Sequence, residues 1–363
     1  MFINQVLACR RGNCYGGWEV NRYAVPLPFS LRINKKTLVL FTVALLLIFI
    51  AGFRPIGLDR DSPNYVSLLN IPFSQANFLD KEPAFWMLVE INRVLFSSNE
   101  RTFFLIFAII GVSLKILAIN RLSSMPFLSL WAYICLYFAL HEMTQIRAGV
   151  ASGIFLLAIQ DIVNRNLKKF IIKVLFASLF HYSAIVMLPL YFLNLRKISI
   201  IYFFLPVIGL FLAYFGLSKI LLLNFTDFLP EFLSYKLRIY LSLLELGEHK
   251  EINIFNFFYS SLLILLYFIF SLYYYAKNKI KFNNYDIFYI KVLSLLLFTF
   301  YFFSPVPVLA FRISEFLGVV LIILIPHIAL MFKQKDIIKA LIFLYLSGGL
   351  IRTAKLLNFE VIL

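Results

Sequence analysis

Long apolar runs recur along this chain, and they constrain its fold more than any other feature. Polar or basic loops separate them between residues 37 and 351. A helix that crosses a bilayer normally needs ~20 apolar residues, and eleven runs reach or approach that length. They are Thr37–Phe53, Thr102–Ile119, Pro126–Leu140, Ala148–Val163, Phe170–Tyr182, Ser183–Leu195, Ile198–Gly216, Ile254–Tyr275, Ile287–Phe303, Ile313–Phe332 and Ile337–Ile351. The sequence predicts an all-α polytopic membrane protein with about eleven (10–12) transmembrane helices.

Composition supports a single membrane domain. Hydrophobic residues make up 62% of the chain and charged residues 14%, whereas a soluble domain usually carries about 25% charged residues. No polar stretch is long enough to form a separate soluble domain. We therefore predict one transmembrane domain over residues 37–351, a basic N-terminal segment at 1–36 and a C-terminal tail at 352–363. The 3 cysteines do not build a disulfide framework.

Basic residues predict the orientation. The chain has 34 Lys and Arg against 18 Asp and Glu, and short cytoplasmic loops of membrane proteins collect Lys and Arg. Every second loop is basic: Arg121, Arg165, Lys168, Lys169, Arg196, Lys197, Lys277, Lys279, Lys281, Lys333, Lys335 and Lys339. We predict that this side and residues 1–36 are cytoplasmic. The positive charge is thereby explained without nucleic acid, for which no binding motif is present.

This orientation places two longer loops, residues 54–101 and 217–253, on the outer side. The first contains Pro83–Phe96, an apolar piece that is short for a span and carries Glu90 and Arg93 three residues apart. We predict an interfacial or re-entrant helix there, with a true span and a different N-terminal arrangement as the alternative. The second loop is amphipathic and mixed in charge.

Ionisable and polar residues gather at the outer ends of the helices, where one cleft could hold them. They are Asp59, Arg60, Asp61, Tyr65, Glu82, His141, Glu142, Gln145, Arg147, His181 and Arg312. No carboxylate cluster among them has the spacing of metal ligands, so neither a metal nor another cofactor is predicted.

Two outer-side arginines favour an anionic ligand. Arg147 begins a helix, where its charge opposes the helix dipole, and small residues follow it over 148–153. Guanidinium binds phosphate bidentately and the helix N-terminus adds N–H donors, so phosphate or diphosphate is the natural candidate, with snorkelling to the interface as the alternative. Arg312 begins a helix after two prolines; it either completes a diphosphate clamp or pairs with Glu315.

Three further residues could act as acids or bases. Asp61 lies in a turn-forming stretch and is either a solvated loop residue or a proton acceptor. Glu82 precedes a proline, so it either stabilises a helix start or contacts a substrate hydroxyl. His181, between two apolar runs, is either a hydrogen-bonded core residue or a general base.

The order of these motifs resembles a known family. Arg-Asp-x-x-x-Tyr at 60–65, Glu-Pro at 82–83, Gln-Ile-Arg at 145–147, Phe-His-x-Ser at 180–183 and Arg-Ile-Ser at 312–314 occur in this sequence. Together they resemble the EpsG-like, Wzy-type polysaccharide polymerases over roughly residues 38–330. The chain departs from the pattern at Ala148, where a polar residue often follows the arginine. Asp59 also competes with Asp61 as the matching carboxylate.

The resemblance implies an enzyme that joins repeat units carried on undecaprenyl diphosphate into O-antigen, capsule or exopolysaccharide. Its site would face the periplasm from the bacterial inner membrane, and its partners would be the lipid-linked glycan, the bilayer and, as a further expectation, a chain-length regulator. His181 or Asp61 would be the base and Glu82 would orient a sugar hydroxyl. The residues expected to bind the diphosphate or sugar are Arg147, Arg312, Gln145, Arg60 and Tyr65.

Two other classes stay open at this point. A lipid-linked oligosaccharide flippase would also bind a diphosphate, but transporters usually place charges near the bilayer midplane and show internal repeats, and neither is evident in the sequence. An O-antigen ligase or a membrane acyltransferase would share the outer-side histidine and arginines.

Overall fold

The computed structural model describes residues 9–10, 13–14, 35–78, 80–225, 252–275, 282–332 and 334–358, with a few further positions between 228 and 242. Helices form nearly all of this part of the chain. They are α1 (Lys35–Gly52), α2 (Ser62–Val66), α3 (Pro83–Phe96), α4 (Glu100–Leu122), α5 (Pro126–Tyr133), α6 (Ile146–Val163), α7 (Leu167–Phe180), α8 (Ile201–Tyr214), α9 (Leu217–Phe225), α10 (Phe257–Tyr275), α11 (Asn284–Phe302), α12 (Pro307–Gly318), α13 (Leu321–Ile328) and α14 (Lys335–Ala354).

Non-α turns complete these elements. A π-helical segment, Ile134–Thr144, continues α5. Three short 3₁₀ helices are Phe73–Gln75, Tyr182–Phe192 and Ala329–Met331. In the N-terminal segment, the two-residue strands β1 (Cys9–Arg10) and β2 (Asn13–Cys14) pair antiparallel.

Local sequence signals begin several helices. The side chains of Asn99 and Asn166 accept hydrogen bonds from N–H groups of the first turns of α4 and α7, at 3.1 and 3.2 Å. Asn283 forms a reciprocal capping box with Asp286 at the start of α11. Prolines stand in the first turn of α3, α5 and α12, where no N–H partner is lost. These local signals mark where the helices start.

The all-α membrane fold is confirmed, but the number of about eleven crossings is not. Seven of the described helices are long and apolar enough to span: α1, α4, α5 with its π segment, α6, α10, α11 and α14. Two bent pairs raise the number to nine if each is one span: α8 with α9, bent by 93°, and α12 with α13, bent by 54°.

The shortfall comes from residues 170–195, predicted as two crossings. Here α7 has 14 residues and the following 3₁₀ helix has 11. Their lengths are about 21 and 22 Å, against a hydrocarbon core of ~30 Å. The two short helices meet at His181, and Arg165 donates to the carbonyls of Tyr191 and Leu193. The second helix therefore returns toward the end where the first begins.

Pro83–Phe96 forms a separate helix, α3, with the predicted boundaries. Phe85, Trp86 and Val89 lie on its buried face, while Val94 and Leu95 are exposed. Its 14 residues are too few for a spanning helix. Near the end of α3, Nη2 of Arg93 lies 2.5 Å from Oε1 of Glu90, three residues earlier, and forms an ion pair with it. Helix α3 is therefore too short to span by itself, and its interfacial or re-entrant placement stays a prediction.

The ends of the predicted domain differ in detail from the sequence prediction. Helix α14 continues to Ala354, and Leu357 then forms a bridge with Asp59, so the predicted tail 352–363 begins as helix. The predicted outer loop 217–253 begins with α9, and most of its remainder lies outside the described residues. Basic residues 277, 279, 281 and 333, and most of segment 1–36, also lie outside them.

Small residues at the start of α6 allow close packing, as predicted. A Cβ atom added at Gly149 would lie 2.2 Å from the carbonyl oxygen of His141. One added at Gly153 would lie 2.8 Å from the Cβ of Leu114 in α4. The first turns of α6 therefore press directly against the π segment and α4, which fixes the position of the residues just before them.

Candidate active site

Four segments of the chain, at residues 60–65, 144–148, 181 and 307–312, meet around a cavity of about 280 Å³. The lining residues are Arg60, Asp61, Tyr65, Thr144, Gln145, Arg147, Ala148, His181, Pro307, Val308, Phe311 and Arg312. Seven of the eight predicted site residues are among them. The eighth, Glu82, lies behind the wall and contacts two of the seven. We call this cavity the arginine pocket.

Glu82 is the centre of a buried hydrogen-bond network. One carboxylate oxygen, Oε1, accepts from Nδ1 of His181 at 2.8 Å and from the N–H of Tyr182 at 3.2 Å. The other, Oε2, accepts from Nη1 of Arg147. Glu82 occupies the N-cap position of α3 but makes no side-chain capping bond. The charge of Glu82 therefore serves long-range pairing and not local capping.

The environment of Glu82 keeps it ionised. Burial alone would raise the pKa of its carboxyl, but the hydrogen bond from His181 and the charge of Arg147 outweigh burial and lower the pKa to about 2. A carboxylate can only accept, so the Nδ1 of His181 carries the proton of their hydrogen bond. In the tautomer with that single ring proton, the second nitrogen, Nε2, is a proton acceptor.

His181 reaches the pocket because the helix breaks at it. Helix α7 ends at Phe180, His181 is extended with φ −156° and ψ 120°, and the 3₁₀ helix begins at Tyr182. The hydroxyl of Tyr182 donates to the carbonyl of Phe78 at 2.7 Å and anchors the turn to the loop before α3. Because the ring pairs with Glu82 and lines the pocket, the structure favours the site interpretation of His181 over that of an ordinary core residue.

Arg147 points into the protein. Its guanidinium lies 6.0 Å from the ring of Tyr65 and 5.8 Å from the ring of Phe85. Its side chain is 14% exposed, and its Nε is buried without a hydrogen-bond partner among the described residues. The pairing with Glu82 and the low exposure favour a role in the pocket over snorkelling toward the interface. Because this Nε is itself shielded from solvent, a bound anion would contact the part of the Arg147 side chain that lines the pocket.

Asp59 and Asp61 have separate roles in the structure. Asp59 is buried and pairs with Nε of Arg54 at 2.8 Å, and its Oδ1 accepts from the backbone N–H groups of Asp61 and Ser62 at 3.1 and 2.9 Å. It therefore shapes the turn. Asp61 lines the pocket, so it is the carboxylate of the pair that a ligand could contact.

The pKa of Asp61 moves in the opposite direction from that of Glu82. Burial and the negative charge of Asp59 raise it, and the neighbouring arginines oppose that rise only in part. Tyr65, one turn further along, is buried, and burial raises the pKa of its phenol. Tyr65 is therefore a neutral hydrogen-bonding residue at neutral pH.

Arg60 and Arg312 carry the remaining positive charge of the pocket. In the described part of the chain neither forms an ion pair within 4.0 Å. The expected alternative for Arg312, a pair with Glu315, is not formed. Glu315 instead accepts from Nε2 of Gln145 at 3.2 Å and lies 3.7 Å from Nη2 of Arg352. Gln145 is thereby held at the pocket wall.

Besides Asp59 and Glu82, two more residues expected on the cleft do not line it. His141 and Glu142 are buried in the π segment; the ring Nδ1 of His141 lies 3.2 Å from Oγ of Ser152. Glu142 pairs with Lys115 of α4, which the sequence prediction missed. The available signal was the lone lysine inside an apolar helix, since such charges are costly in a membrane.

A metal site is not evident in the described residues, since no group of three or more His, Cys, Asp or Glu side chains could hold an ion. The positive charge of the pocket comes from its arginines.

One family model matches this chain: that of the EpsG family, over residues 37–355. The match begins directly after the basic N-terminal segment and includes every residue of the arginine pocket. No curated protein and no solved structure matches the chain.

Proposed function

The chain belongs to the EpsG family, and from this membership and the arginine pocket we propose that it polymerises undecaprenyl-diphosphate-linked oligosaccharides into O-antigen, capsule or exopolysaccharide. The resemblance inferred from the sequence motifs is confirmed by the family match. The family and the apolar helices indicate a membrane protein with a polysaccharide-polymerase-like, glycosyltransferase-like activity. The repeat-unit polymerisation itself is the finer proposal.

The observation that carries the proposal is the charge distribution of the pocket. Arg60, Arg147 and Arg312 line one cavity beside a paired histidine, against one lining carboxylate, Asp61. A lipid diphosphate is a leaving group with several negative oxygens, and guanidinium groups match such oxygens bidentately. The arginines supply the positive charge that the departing diphosphate needs, so we propose a mechanism that does not require a metal.

In the proposed reaction, Nε2 of His181 accepts the proton of an acceptor sugar hydroxyl. The hydroxyl oxygen attacks the anomeric carbon of the donor glycan and forms the new glycosidic bond. The bond between that carbon and the diphosphate oxygen breaks, and its electron pair leaves with undecaprenyl diphosphate. The arginines stabilise the negative charge as it develops, and His181 holds the proton.

Glu82 supports the base in this scheme. Three donors, from His181, Tyr182 and Arg147, already occupy its oxygens. The geometry therefore favours a role in orienting His181 over direct contact with a sugar hydroxyl. Asp61 is the alternative base, because it lines the same pocket and burial raises its pKa.

We propose that the pocket faces the periplasm and that the membrane is the bacterial inner membrane. Lys36 and Lys335 lie at the N-terminal ends of α1 and α14. Just beyond the C-terminal ends of the same two helices, Asp59 forms a backbone bridge with Leu357. This arrangement supports a cytoplasmic side at the basic N-terminal ends and places Asp61 at the opposite ends. A lipid-linked glycan, the bilayer and a chain-length regulator are the proposed partners.

Deleting the gene in its source bacterium tests the proposed class. We expect surface glycan that stops at one repeat unit, and restoration of long chains by the wild-type gene. Electrophoresis of surface glycan and of free polymer separates the alternatives. Loss of all exported glycan would indicate a flippase, and polymer that is made but not attached would indicate a ligase; either outcome contradicts the proposal.

A further inference from the structure

A lysine buried in the middle of α4 braces the segment that carries Arg147. Lys115 is fully buried, and its Nζ donates to Oε1 of Glu142 at 2.5 Å and to the carbonyl oxygen of Gly149 at 2.7 Å. None of these three residues lines the arginine pocket. The proposed reaction gives Lys115 no direct task.

The two acceptors of Lys115 lie on opposite sides of a break in the helix. Glu142 is in the last turn of the π segment and Gly149 is in the first turn of α6. Between them the chain leaves the helix at Gln145, which has φ −94° and ψ 56°. The ammonium group of Lys115 therefore holds the chain on both sides of this helix break. Gln145 and Arg147, which lie at the break, line the pocket.

Glycines on both sides make room for this contact. A Cβ atom at Gly111, one turn before Lys115 in α4, would lie 2.1 Å from Oε2 of Glu142. A Cβ atom at Gly149 would lie 2.2 Å from the carbonyl oxygen of His141. Gly111 thus leaves room for the Glu142 carboxylate beside α4, and Gly149 lets α6 pack closely against the π segment.

Stability alone is a weak reason for such a pair. Charged residues are costly inside a membrane, and buried ion pairs can often be replaced by apolar residues of similar volume without loss of stability. We infer that Lys115 is a positioning residue, which acts through Glu142 and Gly149 to hold Gln145 and Arg147 at the pocket. Its importance for glycosyl transfer rests on the proposed function.

Inorganic pyrophosphate binding to the full chain in lipid nanodiscs tests the inference. The variant combines Lys115→Met with Glu142→Met, so that neither charge is left unpaired. We expect its Kd for pyrophosphate to rise on the order of tenfold, with a thermal midpoint close to that of the wild type. In the Arg147→Ala background the same two substitutions should add no further loss of pyrophosphate binding, because Arg147 is the anion-binding residue that the brace positions.

Lys291→Met is the matched control. Lys291 is also a buried lysine in a long apolar helix, and its Nζ donates to the carbonyl of Asn194. It does not line the pocket, so we expect the Kd for pyrophosphate to stay unchanged. A similar loss in this control would mean that any buried lysine affects binding through the fold, and would overturn the positioning role.

Hydrogen exchange gives a readout that needs no ligand. The N–H of Gln145 donates to the carbonyl of Leu140 at 2.7 Å, and that of Gly149 to the carbonyl of Gln145 at 2.8 Å. We expect faster exchange at residues 145–149 in the double variant and not in Lys291→Met. Unchanged exchange, or a Kd loss that adds to that of Arg147→Ala, would overturn the inference. Failure of the wild type to bind pyrophosphate would count against the diphosphate site alone, since exchange still reports on the brace.

Discussion

The two sides of the arginine pocket differ in how their charges are matched. On one side, Glu82 joins His181 and Arg147, and each of its carboxylate oxygens has a donor. On the other side, Arg60 and Arg312 line the cavity with no ion-pair partner among the described residues. We call these the paired side and the open side.

This difference suggests that the paired side positions the base and the open side binds the anion. Matched charges hold a side chain in one geometry, which a general base needs before the substrate arrives. Open cations keep their donors for an anion that the protein does not supply. The carboxylates Glu82 and Asp61 differ in the same way. The pKa of Glu82, on the paired side, is lowered to about 2, whereas the pKa of Asp61 is raised. Environments that push two carboxyl pKa values apart are a common sign of separate roles in catalysis.

Removing the residue that joins both sides should have the largest effect. Arg147 pairs with Glu82 and also lines the pocket. We expect Arg147→Ala, expressed in the source strain in place of the wild type, to leave no polymer longer than one repeat unit. Gel electrophoresis of surface glycan measures this, with membrane abundance of the variant as the control. Normal chain lengths from a stably expressed variant would remove Arg147 from the site.

Removing the base on the paired side should slow the reaction without weakening diphosphate binding. In His181→Gln an amide can still donate to Glu82, but it cannot take a proton from a hydroxyl. We expect the rate of undecaprenyl diphosphate release in proteoliposomes to fall by about 10²–10⁴-fold. The Kd for pyrophosphate should stay near that of the wild type. If His181→Gln keeps its rate and Asp61→Asn loses it, the base is Asp61.

The fold was predictable where long apolar runs decide it. Helices such as α4 and α6 lie within a few residues of the runs at 102–119 and 148–163, because a bilayer segment must satisfy its backbone internally. The prediction of transmembrane helices fails where a helix is bent or interrupted. Gly216 has φ +69° between two helices at 93°, and His181 separates two helices that are each short for a span. Hydropathy measures apolar length and cannot locate such bends.

The membership of the pocket was predictable, but its pairing was not. The distribution of basic loop residues predicted that Asp61, Arg147 and Arg312 lie at the same end of the helices, and in the structure all three line one cavity. That Glu82 would meet His181, 99 residues away, depends on tertiary contacts that no local pattern reports. Lys115 stands out in the sequence as a lone lysine in an apolar helix, but its pairing with Glu142 in another helix could not be predicted for the same reason.

Substitutions on the open side should weaken anion binding in proportion to the hydrogen bonds lost. We expect Arg312→Ala to raise the Kd for pyrophosphate by about tenfold or more. Arg312→Lys should fall between the wild type and Arg312→Ala, because it keeps the charge but loses the bidentate fork. Arg101→Ala, at an exposed arginine of α4, is the control and should bind as the wild type does. Equal Kd values for Arg312→Ala and Arg101→Ala would show that the open side does not hold the anion.

The smallest expected effect is on stability, where the two carboxylates should respond with opposite sign. Glu82, with its pKa lowered to about 2 from an ordinary 4.5, contributes stability above pH 4.5 that disappears as the pH falls through 2. Glu82→Gln should therefore lower the thermal midpoint throughout pH 5–8, by about 2–4 °C.

Asp61 has a raised pKa, so its ionisation costs stability as the pH rises. Asp61→Asn should raise the midpoint at pH 8, and the gain should shrink toward pH 5 as the wild-type carboxyl takes up its proton. Shifts of the same sign in both variants would mean that the two carboxylates have similar environments, and the contrast between the paired side and the open side would fail.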